Sequence, residues 1–340
     1  MDKVVTRNEV AKLAGTSPAL VSYVLNGGPR KVAAGTQARI RKAIADLNYR
    51  PNRVARSLRS NRTMTLGMIF PDSANPYFAE LTNALEVASF EQGFTLLLGN
   101  SAENLDRQLR YAESFADHQV DGLFIVPAVG TDADDFVARF PAQQIVALDR
   151  RLGSQDIATV TVDNRAAAAA AVRHLIGHGR SQIACVAGPS ASSSAKDRVD
   201  GYQDALAEAG IAFNEDLVSY GAFGLESGFA SATELLAHLD VDAVFATSDE
   251  QAIGVLKAIT HSGATCPADI AVVSFDGIAS AIYSSPALTT MAQPFSMLGE
   301  RALEVMCRLI DGGTPEQEML SLSATLAVRE SCGCTTEGVR

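Results

Sequence analysis

The first fifty residues carry apolar side chains at helical spacing, with residues that favour helix ends between them. Thr6 and Glu9 have the spacing of a capping box, in which each side chain bonds the backbone amide of the other residue. Gly15 is suited to end this helix, and Ser17 and Pro18 are suited to begin a second one. Two short helices joined by a tight turn that contains glycine predict a helix-turn-helix.

A third amphipathic helix is expected from about Thr36 to Leu47. The three helices can share a small core, so this part of the chain is expected to be an all-α head. We expect its core to contain Val10, Leu13, Val21, Val24, Leu25, Ile40, Ile44 and Leu47.

From Thr63 onward, apolar runs alternate with helical stretches, which predicts an α/β fold with parallel sheets. The runs that predict strands are 65–70, 94–98, 122–126, 144–148, 159–162, 182–187, 243–246 and 270–275. Helical stretches between them include 77–92, 165–176, 200–209, 227–238 and 250–261. The count suits two sheets, so the expected architecture is a small helix-turn-helix head followed by an α/β core of two parallel-sheet subdomains.

Charge divides the 340-residue chain into a basic start and an acidic remainder, although the net charge of the whole is −11. Residues 1–62 hold 13 Lys and Arg against 3 acidic residues, a net charge of +10. The remainder holds 15 basic against 36 acidic residues, a net charge of −21. This asymmetry is typical of a nucleic-acid-binding head on an acidic body.

Composition narrows the class of protein further. An apolar fraction of 47% is ordinary for a globular protein and excludes disorder. No run approaches the roughly 18 apolar residues of a membrane helix, and the N-terminus has no apolar segment typical of export. The five cysteines are scattered and odd in number, so we expect reduced thiols and a cytoplasmic protein with no membrane partner.

The second predicted helix is the element that would enter the major groove of DNA. Its helical phase turns Pro18, Ala19, Ser22 and Tyr23 outward. Ser22 and Asn26 suit phosphate oxygens, and Tyr23 suits a base edge or a phosphate. The alternative for Tyr23 is packing against a neighbouring helix.

Residues 50–62 contain five arginines around a short helical pattern that begins at Pro51. This composition fits a solvated basic linker. It fits equally a DNA-contacting hinge in which Leu58 enters the minor groove and kinks a base step.

The head from Thr6 to Arg59 resembles the DNA-binding head of the lactose/galactose-repressor family. The segments that carry the resemblance are 9–17, 21–27, 47–52 and 55–58. The resemblance implies that Pro18, Ala19 and Tyr23 read bases and that Leu58 is the minor-groove leucine. Ala33 replaces a helix-capping serine of the family, so Thr36 is the expected substitute cap. The full set of residues expected to contact DNA is Thr6, Ser17, Pro18, Ala19, Ser22, Tyr23, Asn26, Asn52, Arg53, Ala55, Arg56 and Leu58.

Polar residues follow four of the predicted strands, at 70–78, 148–150, 247–249 and 275–277. Ligands of α/β sheets bind at the carboxyl ends of the strands, so these segments are candidates for a binding cleft between the two sheets.

The rest of the chain resembles the effector-binding core of the same family, which shares its fold with periplasmic sugar-binding proteins. The segments that carry this resemblance are 75–78, 120–123, 148–150, 177–180, 197–202, 249–254 and 286–290. It implies an effector site formed by Tyr77, Phe78, Asp149, Arg198, Phe223, Ser248, Asp249 and Asp276. Carboxylates, an arginine and aromatic faces suit a polyol, which favours a sugar. Ser248 departs from the asparagine of many sugar-responsive members, so a purine-like base or another metabolite is the alternative.

Three clusters that could suggest metal or catalytic chemistry have simpler explanations. His174 and His178 have i,i+4 spacing, but glycines flank His178, so a polar helix end is expected. Cys332 and Cys334 are separated by one residue, which is too few for the usual zinc spacing and indicates a free tail. Residues 192–194 are three serines without the spacing of a nucleophile elbow. We therefore expect no metal, no cofactor and no enzymatic activity.

The expected function is a sequence-specific transcriptional regulator, a repressor, whose operator affinity is controlled by a small molecule. A homodimer would present two heads to a pseudo-palindromic operator in double-stranded DNA, because one head buries little surface. The absence of leucine heptads after Val328 favours a dimer over a tetramer. The alternative is a ligand-binding protein or α/β enzyme with an incidental basic arm, whose DNA affinity would vanish at physiological salt.

The expected domains follow from these assignments. They are a helix-turn-helix domain at 1–50, a hinge or linker at 51–63, an effector-binding and dimerisation core at 64–330, and a tail at 331–340. Within the core, we expect one subdomain at about 64–163 plus 293–325 and the other at 164–292.

Overall fold

The computed structural model describes residues 5–26, 31–49, 62–153, 157–314 and 319–334, with the backbone but not the side chain of Asn26. The chain divides into two compact units, Met1–Thr63 and Met64–Arg340. We refer to them as the head and the core.

In the described part of the head, the helices are α1 (Arg7–Leu13), α2 (Pro18–Asn26) and α3 (Ala34–Asp46). The capping box at the start of α1 is confirmed, because Thr6 N donates to Glu9 Oε2 at 2.7 Å and Glu9 N donates to Thr6 Oγ1. Ser17 Oγ accepts from Leu20 N at 3.3 Å and so caps α2. These bonds satisfy amides that have no partner within the helix.

Thr36 was the expected cap of the third helix, and this prediction is wrong. The helix begins at Ala34, and no side chain caps it at Ala33. The backbone oxygen of Ala33 instead accepts from the amides of Thr36 and Gln37 at 2.9 and 3.0 Å. Thr36 therefore lies inside the first turn.

The core of the head is formed by small and branched side chains from all three helices. Val10, Val21 and Ile40 are fully buried. Leu13 is 54% exposed, so its predicted place in this core is wrong. Ala11 of α1 and Ala14, the residue that ends this helix, are buried in this core instead.

The described elements of the core alternate along the chain, as the fold prediction requires. In chain order they are β1 (Thr65–Phe70), α4 (Pro76–Glu91), β2 (Thr95–Asn100), α5 (Leu105–Asp117), β3 (Gly122–Ile125), α6 (Ala133–Arg139), β4 (Ile145–Leu148), β5 (Ala158–Val162), α7 (Asn164–Gly177), β6 (Ile183–Ala187), α8 (Ser193–Glu208), β7 (Val218–Tyr220), α9 (Leu225–His238), β8 (Ala243–Ala246), α10 (Asp249–Ser262), β9 (Ala271–Asp276), β10 (Thr289–Ala292), α11 (Phe295–Ile310), β11 (Met319–Leu322) and β12 (Thr325–Ala327). Short 3-10 helices lie at Glu215–Leu217 and Ala279–Tyr283.

The described strands form two six-stranded sheets. We call each sheet, together with the helices that pack on it, a lobe, and we number the two lobes in chain order. The first sheet has the order β11-β5-β4-β3-β1-β2, and all of its strand pairs are parallel. The second has the order β12-β10-β9-β8-β6-β7, with β12 antiparallel to β10. The predicted α/β class with two parallel-dominated sheets is confirmed.

The chain passes between the lobes more than once. It enters the second lobe after β5, returns after β10 to add α11 and β11 to the first lobe, and ends in the second lobe with β12. Helix α11 packs against α4. The short strands β7, β10, β11 and β12 were not predicted, because each contains serine or threonine and none forms a continuous apolar run.

Residues 331–334 do not form the free tail that the sequence analysis expected. Ser331 Oγ donates to Val272 O at 2.7 Å and accepts from Thr289 N at 2.8 Å. Ser331 and Cys332 are buried at 0% and 1% exposure. The segment is held because its polar groups complete the hydrogen bonds of β9 and β10.

Among the described residues, none of the helices has the length and apolar character needed to span a membrane.

Candidate functional site

Two aspartates at strand ends adopt backbone conformations that residues other than glycine rarely adopt. Asp149 follows β4 in the first lobe and has φ of 60°, and Asp276 ends β9 in the second lobe and has φ of 121°. Such conformations cost on the order of 1–3 kcal/mol each and cluster at ligand sites. Both carboxylates therefore lie where α/β sheets bind their ligands, at the carboxyl ends of strands.

The guanidinium of Arg198, on α8, is held by several partners. Its Nε donates to Asn164 Oδ1 at 2.8 Å, and its Nη1 donates to the backbone oxygen of Thr247 and to Asp276 Oδ1 at 3.2 Å. Its Cζ lies 3.8 Å from the ring centroid of Phe275. A buried guanidinium with this many partners has a fixed orientation. Its position therefore does not have to change when a ligand binds.

Tyr77 and Gln293 join the two aspartates. Tyr77 OH donates to Asp149 Oδ1 at 3.1 Å and lies 3.5 Å from Gln293 Oε1, while Gln293 Nε2 donates to Asp276 Oδ1 at 2.9 Å. Burial, and then the charges of Asp149 and Asp276, raise the pKa of Tyr77 well above its usual value. The hydroxyl therefore stays protonated and keeps its role as a donor.

Burial raises the pKa of Asp276 to about 8, against the opposing effect of the Arg198 cation. The neighbouring carboxylates of Asp249 and Asp149 contribute to this rise, and the hydrogen bond from Gln293 opposes it. This carboxyl group consequently holds its proton more strongly than a free aspartate does.

Phe223 fills the space next to the two arginines of the cleft. Its ring centroid lies 5.9 Å from the Cζ atoms of both Arg150 and Arg198. Gly188 makes room for the ring, because a Cβ atom at Gly188 would lie only 2.2 Å from Phe223 Cζ. The ring position therefore depends on glycine at 188.

One amide from each lobe holds the loop that carries Phe223. Asn75 Nδ2, from the first lobe, donates to Phe223 O at 3.1 Å. Gln251 Nε2, from the second lobe, donates to Ala222 O at 2.9 Å. Gln251 itself is positioned by close packing of α9 and α10, since a Cβ atom at Gly228 would lie 2.2 Å from Gln251 O.

Two adjoining cavities lie at this cleft, one of about 20 Å³ and the other of about 350 Å³. The smaller, which we call the inner cavity, has room for about one water molecule. It is lined by Asn75, Tyr77, Phe78, Asp149, Arg150, Ser194, Arg198, Phe223 and Asp276. The outer cavity is lined by Asp72, Ala74, Asn75, Phe78, Glu103, Val129, Arg150, Pro189, Ala222, Phe223, Gly224 and Glu250.

Acidic groups outnumber basic groups in the lining of these cavities. The five carboxyl groups are those of Asp72, Glu103, Asp149, Glu250 and Asp276, and the two guanidinium groups are those of Arg150 and Arg198. Burial raises the pKa of Glu250, and the charges of Asp249 and Asp72 raise it further. The lining offers acceptors to hydroxyl groups and repels a multiply charged anion.

A two-bond ion pair connects the lobes beside the cleft. Arg151 follows β4, and its Nη1 and Nη2 donate to the two carboxylate oxygens of Asp197 on α8 at 2.6 and 2.9 Å. Arg151 N also donates to Ser193 Oγ at 3.0 Å. These bonds exist only while the two lobes are close together.

In the head, the residues expected to read bases share one side of α2. Pro18, Ala19, Ser22 and Tyr23 follow each other at helical spacing, opposite the buried Val21. Ala19 is exposed, and Pro18, Ser22 and Tyr23 are half-buried. The side chain of Asn26 and the predicted contacts Asn52, Arg53, Ala55, Arg56 and Leu58 lie outside the described residues.

The head and the core each match a known protein family. Residues 6–52 match the model of bacterial regulatory proteins of the lacI family. Residues 63–328 match the model of periplasmic binding proteins and the sugar-binding domain of the LacI family. The chain belongs to the LacI family. It is a DNA-binding transcriptional regulator with an effector-binding core, as the sequence analysis predicted.

Individual relatives match this LacI-family regulator over nearly its whole length. The HTH-type transcriptional repressor PurR of Photobacterium profundum is 34% identical over 330 residues, 96% of this chain and 98% of the relative. The ribose operon repressor of Escherichia coli (strain K12) is 34% identical over 328 residues, 96% of this chain and 99% of the relative. The crystal structure of the Lac repressor dimer bound to operator and the anti-inducer ONPF superimposes with a TM-score of 0.85 at 27% identity, covering 97% of this chain and 99% of that chain.

Six of the eight effector residues predicted for this LacI-family regulator line the inner cavity, and Ser248 and Asp249 do not. Ser248 caps α10, where its Oγ accepts from Gln251 N at 3.1 Å. The carboxylate of Asp249 is 0% exposed and accepts from the amides of Gly277 and Ile278 at 2.7 and 2.8 Å. Both side chains lie behind the cavity wall, because Ser248 caps α10 and Asp249 holds the loop that follows β9.

Several cleft residues of this LacI-family regulator were not in the predicted effector set. Asn75 and Arg150 line both cavities, and Ser194 lines the inner one. Arg150 Nη1 donates to Glu103 Oε1 at 2.7 Å. Asn75 and Arg150 lie in the predicted strand-end segments 70–78 and 148–150, whereas Gln293 follows a strand, β10, whose two threonines interrupt any apolar run.

Proposed function

We propose that this regulator represses transcription by binding an operator as a homodimer, and that its effector is an uncharged polyhydroxylated molecule, a sugar. The observation that carries the effector class is the convergence of Asp149, Arg198 and Asp276 beside the Tyr77 and Phe223 rings. Paired carboxylate oxygens accept from vicinal hydroxyls, a guanidinium donates to them, and aromatic rings pack on the apolar face of a sugar ring. The name of one relative, the ribose operon repressor, points to the same class.

Charge supports an uncharged effector over a phosphorylated one. Each arginine of the cleft already faces a carboxylate: Arg198 faces Asp276, and Arg150 contacts Glu103 at 2.7 Å. A phosphate group would have to displace these partners inside a lining with an excess of carboxyl groups. A hydroxyl can instead join the existing hydrogen bonds.

The inner cavity of about 20 Å³ is too small for a sugar ring, so the effector would enter from the outer cavity and displace Phe223. The outer cavity of about 350 Å³ falls within the range of small-molecule sites. Arg150 supports this route, because its buried Nε has no hydrogen-bond acceptor among the described residues. A ligand oxygen near the boundary of the two cavities would supply one.

A planar, purine-like base is the second candidate effector. Phe78 and Phe223 both line the outer cavity, and two aromatic faces can hold a flat heterocycle as well as a sugar ring.

The test is a binding screen of the full-length protein against neutral monosaccharides and disaccharides, their phosphates, nucleobases and nucleosides. Thermal shift identifies candidates, and isothermal titration calorimetry measures their affinity. Each binder is then added to an operator-binding titration. We expect a neutral sugar to raise the melting temperature and to change operator affinity. A phosphate ester or a nucleobase that binds more tightly than every neutral sugar would overturn the proposed effector class.

Operator binding is tested separately, by selecting the preferred DNA sequence from a random pool. We expect a pseudo-palindromic site whose affinity exceeds that for random DNA at physiological salt. A single asymmetric half-site, or no preferred sequence, would contradict the dimeric repressor. The proposed entry of Leu58 into the minor groove stays a prediction. The substitution Leu58→Ala tests it by comparing the affinity for the selected operator with the affinity for random DNA.

A further inference from the structure

Two histidines and two cysteines that are far apart in the sequence form one cluster in the second lobe. They are His174, His178, Cys332 and Cys334, and their ligand-type atoms all lie within 4.8 Å of one another. His178 Nε2 is 3.1 Å from Cys334 Sγ, and His174 Nε2 is 3.7 Å from the same sulfur. None of these side chains takes part in the cleft described above.

The helix supplies the two imidazoles on one face. His174 lies in the last turn of α7, and His178 is the residue that ends this helix. Their i,i+4 spacing brings the side chains together, and the ring centroids are 4.8 Å apart. The glycines that flank His178 end the helix without removing this pairing.

The end of the chain supplies the two thiols. Ser331 and Cys332 are anchored against β9 and β10, and Gly333 between the cysteines has φ of 92°. This left-handed conformation turns the chain sharply, so that two sulfurs separated by one residue reach the same two histidines. A residue with a Cβ atom would be strained at this position.

We propose that these four side chains form a zinc site. Two nitrogens and two sulfurs are a characteristic tetrahedral ligand set of zinc. With zinc–sulfur bonds of about 2.3 Å and zinc–nitrogen bonds of about 2.0 Å, neighbouring ligand atoms are roughly 3.3–3.8 Å apart. The two separations from Cys334 Sγ, 3.1 and 3.7 Å, are close to these values. The widest separation in the cluster, up to 4.8 Å, has to shorten by about 1 Å, which side-chain rotations can supply.

The surroundings suit a permanently bound ion. Thr289 Oγ1 lies 3.1 Å from Cys332 Sγ and can donate to a thiolate, which is the kind of outer contact that orients metal ligands. Cys332 is buried, while His178 is exposed, so the cluster opens to solvent on one side. The ion can enter from solution and then join α7 to the end of the chain.

Sequence spacing did not reveal this site because each pair of ligands is incomplete by itself. Taken separately, the two histidines fit a polar helix end and the two cysteines are spaced too closely for the usual zinc motif. The fold joins them, because β12 returns the chain to the second lobe and the segment after it passes beside α7.

The experiment uses the full-length chain without a histidine tag, purified without chelators and with a phosphine reductant. Metal content is measured by inductively coupled plasma mass spectrometry on the wild type and on Cys334→Ser and His178→Ala. These two side chains are the more accessible of their pairs, and circular dichroism verifies folding. Cys307→Ser and His238→Ala are the matched controls, since both residues lie outside the cluster.

We expect one equivalent of zinc per chain in the wild type and in both controls, and a loss to background in the two cluster variants. Removing the ion with a chelator should lower the melting temperature of the wild type, and adding zinc should restore it. The melting temperature of Cys334→Ser should not respond. Equal metal content in the wild type and the cluster variants would overturn the proposal.

Cobalt provides a test that needs no variant. The metal-free wild type titrated with Co²⁺ should develop thiolate charge-transfer absorption and the intense visible bands of tetrahedral cobalt, and zinc should abolish both. If the wild type retains no zinc and shows no such spectrum, the four side chains do not form a metal site.

Discussion

Arg198 and Asp276 form a buried ion pair, with 3.2 Å between Nη1 and Oδ1 and side chains that are 3% and 7% exposed. The guanidinium also bonds Asn164 and Thr247, and the carboxylate also bonds Gln293. The guanidinium and the carboxyl group therefore already have partners within the protein. An effector that binds here adds hydrogen bonds to a completed pair, which fits a molecule with hydroxyl groups.

We expect the substitution Asp276→Asn to change how stability depends on pH. The pKa of Asp276 rises from 3.8 to about 8 on folding, so the folded protein holds this proton more strongly than the unfolded chain does. The stability that it contributes is therefore fully present below about pH 4 and is lost as the pH rises toward about 8. Asparagine does not titrate. The measurement is the melting temperature of both proteins from about pH 5 to about pH 8.

The melting temperature of the wild type relative to Asp276→Asn should fall steadily across this range. The comparison isolates Asp276, because all other titrating groups are common to the two proteins. A constant difference would mean that the pKa of Asp276 is not raised by folding.

The pair Arg151–Asp197 connects the lobes, and we expect its removal to weaken effector binding. If the effector binds the closed cleft, Arg151→Ala lowers the population of the state that binds. Half-exposed ion pairs contribute about 0.2–1 kcal/mol, so the dissociation constant should rise by a factor of about 1.4 to 5. Isothermal titration calorimetry with the effector found in the screen measures this change.

Arg173→Ala is the matched control for this prediction. It removes the exposed pair Arg173–Glu208, which has a separation of 3.0 Å and joins α7 and α8 within the second lobe. Its effector affinity should equal that of the wild type. An unchanged affinity in Arg151→Ala as well would show that this pair does not hold the cleft closed.

Tyr23 is the side chain of α2 best suited to read a base, and we expect Tyr23→Ala to weaken specific binding. A base contact contributes about 1–3 kcal/mol, and the dimer loses one in each half-site, so operator affinity should fall about 30-fold or more while affinity for random DNA changes little. Fluorescence anisotropy at physiological salt measures both affinities. Tyr23→Phe separates the hydroxyl group from the ring.

Asn8→Ala, at an exposed position of α1, is the control for the Tyr23 variants. It should bind both DNAs as the wild type does. Equal losses of operator and random-DNA affinity in Tyr23→Ala would assign Tyr23 to a phosphate contact or to the stability of the head.

The architecture was predictable because most of the buried strands are continuous apolar runs, and these runs alternate with helical stretches along the chain. The same pattern located Asp149 and Asp276, since each directly follows such a run. Ser248 and Asp249 also follow a strand, but they begin α10 and turn inward to cap it and to hold the adjoining loop. The strand-end rule cannot separate ligand contacts from helix caps, because both use the same short polar residues.

The groups that the sequence analysis missed depend on contacts between distant parts of the chain. Gln293 bonds Asp276 from the segment in which the chain returns to the first lobe, after a strand of four residues. Cys334 lies beside His178, although 156 positions separate them. Neither contact has a local pattern, so only the fold reveals them.

The outer face of α4 exposes large apolar side chains, and we expect it to contribute to the proposed dimer. Phe90 is 73% exposed and Val87 is 48% exposed, and both lie on the same side of the helix at i,i+3 spacing. Exposed apolar clusters commonly mark protein interfaces. A glutamate placed at Phe90 would put a charge into the contact, which should cost about 1–3 kcal/mol and raise the dimer dissociation constant about 10- to 100-fold. Sedimentation equilibrium of Phe90→Glu at several protein concentrations measures this change.

Leu105→Glu is the matched control, because Leu105 is 40% exposed at the start of α5 and its replacement should leave the dimer intact. If Phe90→Glu dimerises as tightly as the wild type, the face of α4 is not part of the interface, and dimerisation uses another surface of the core.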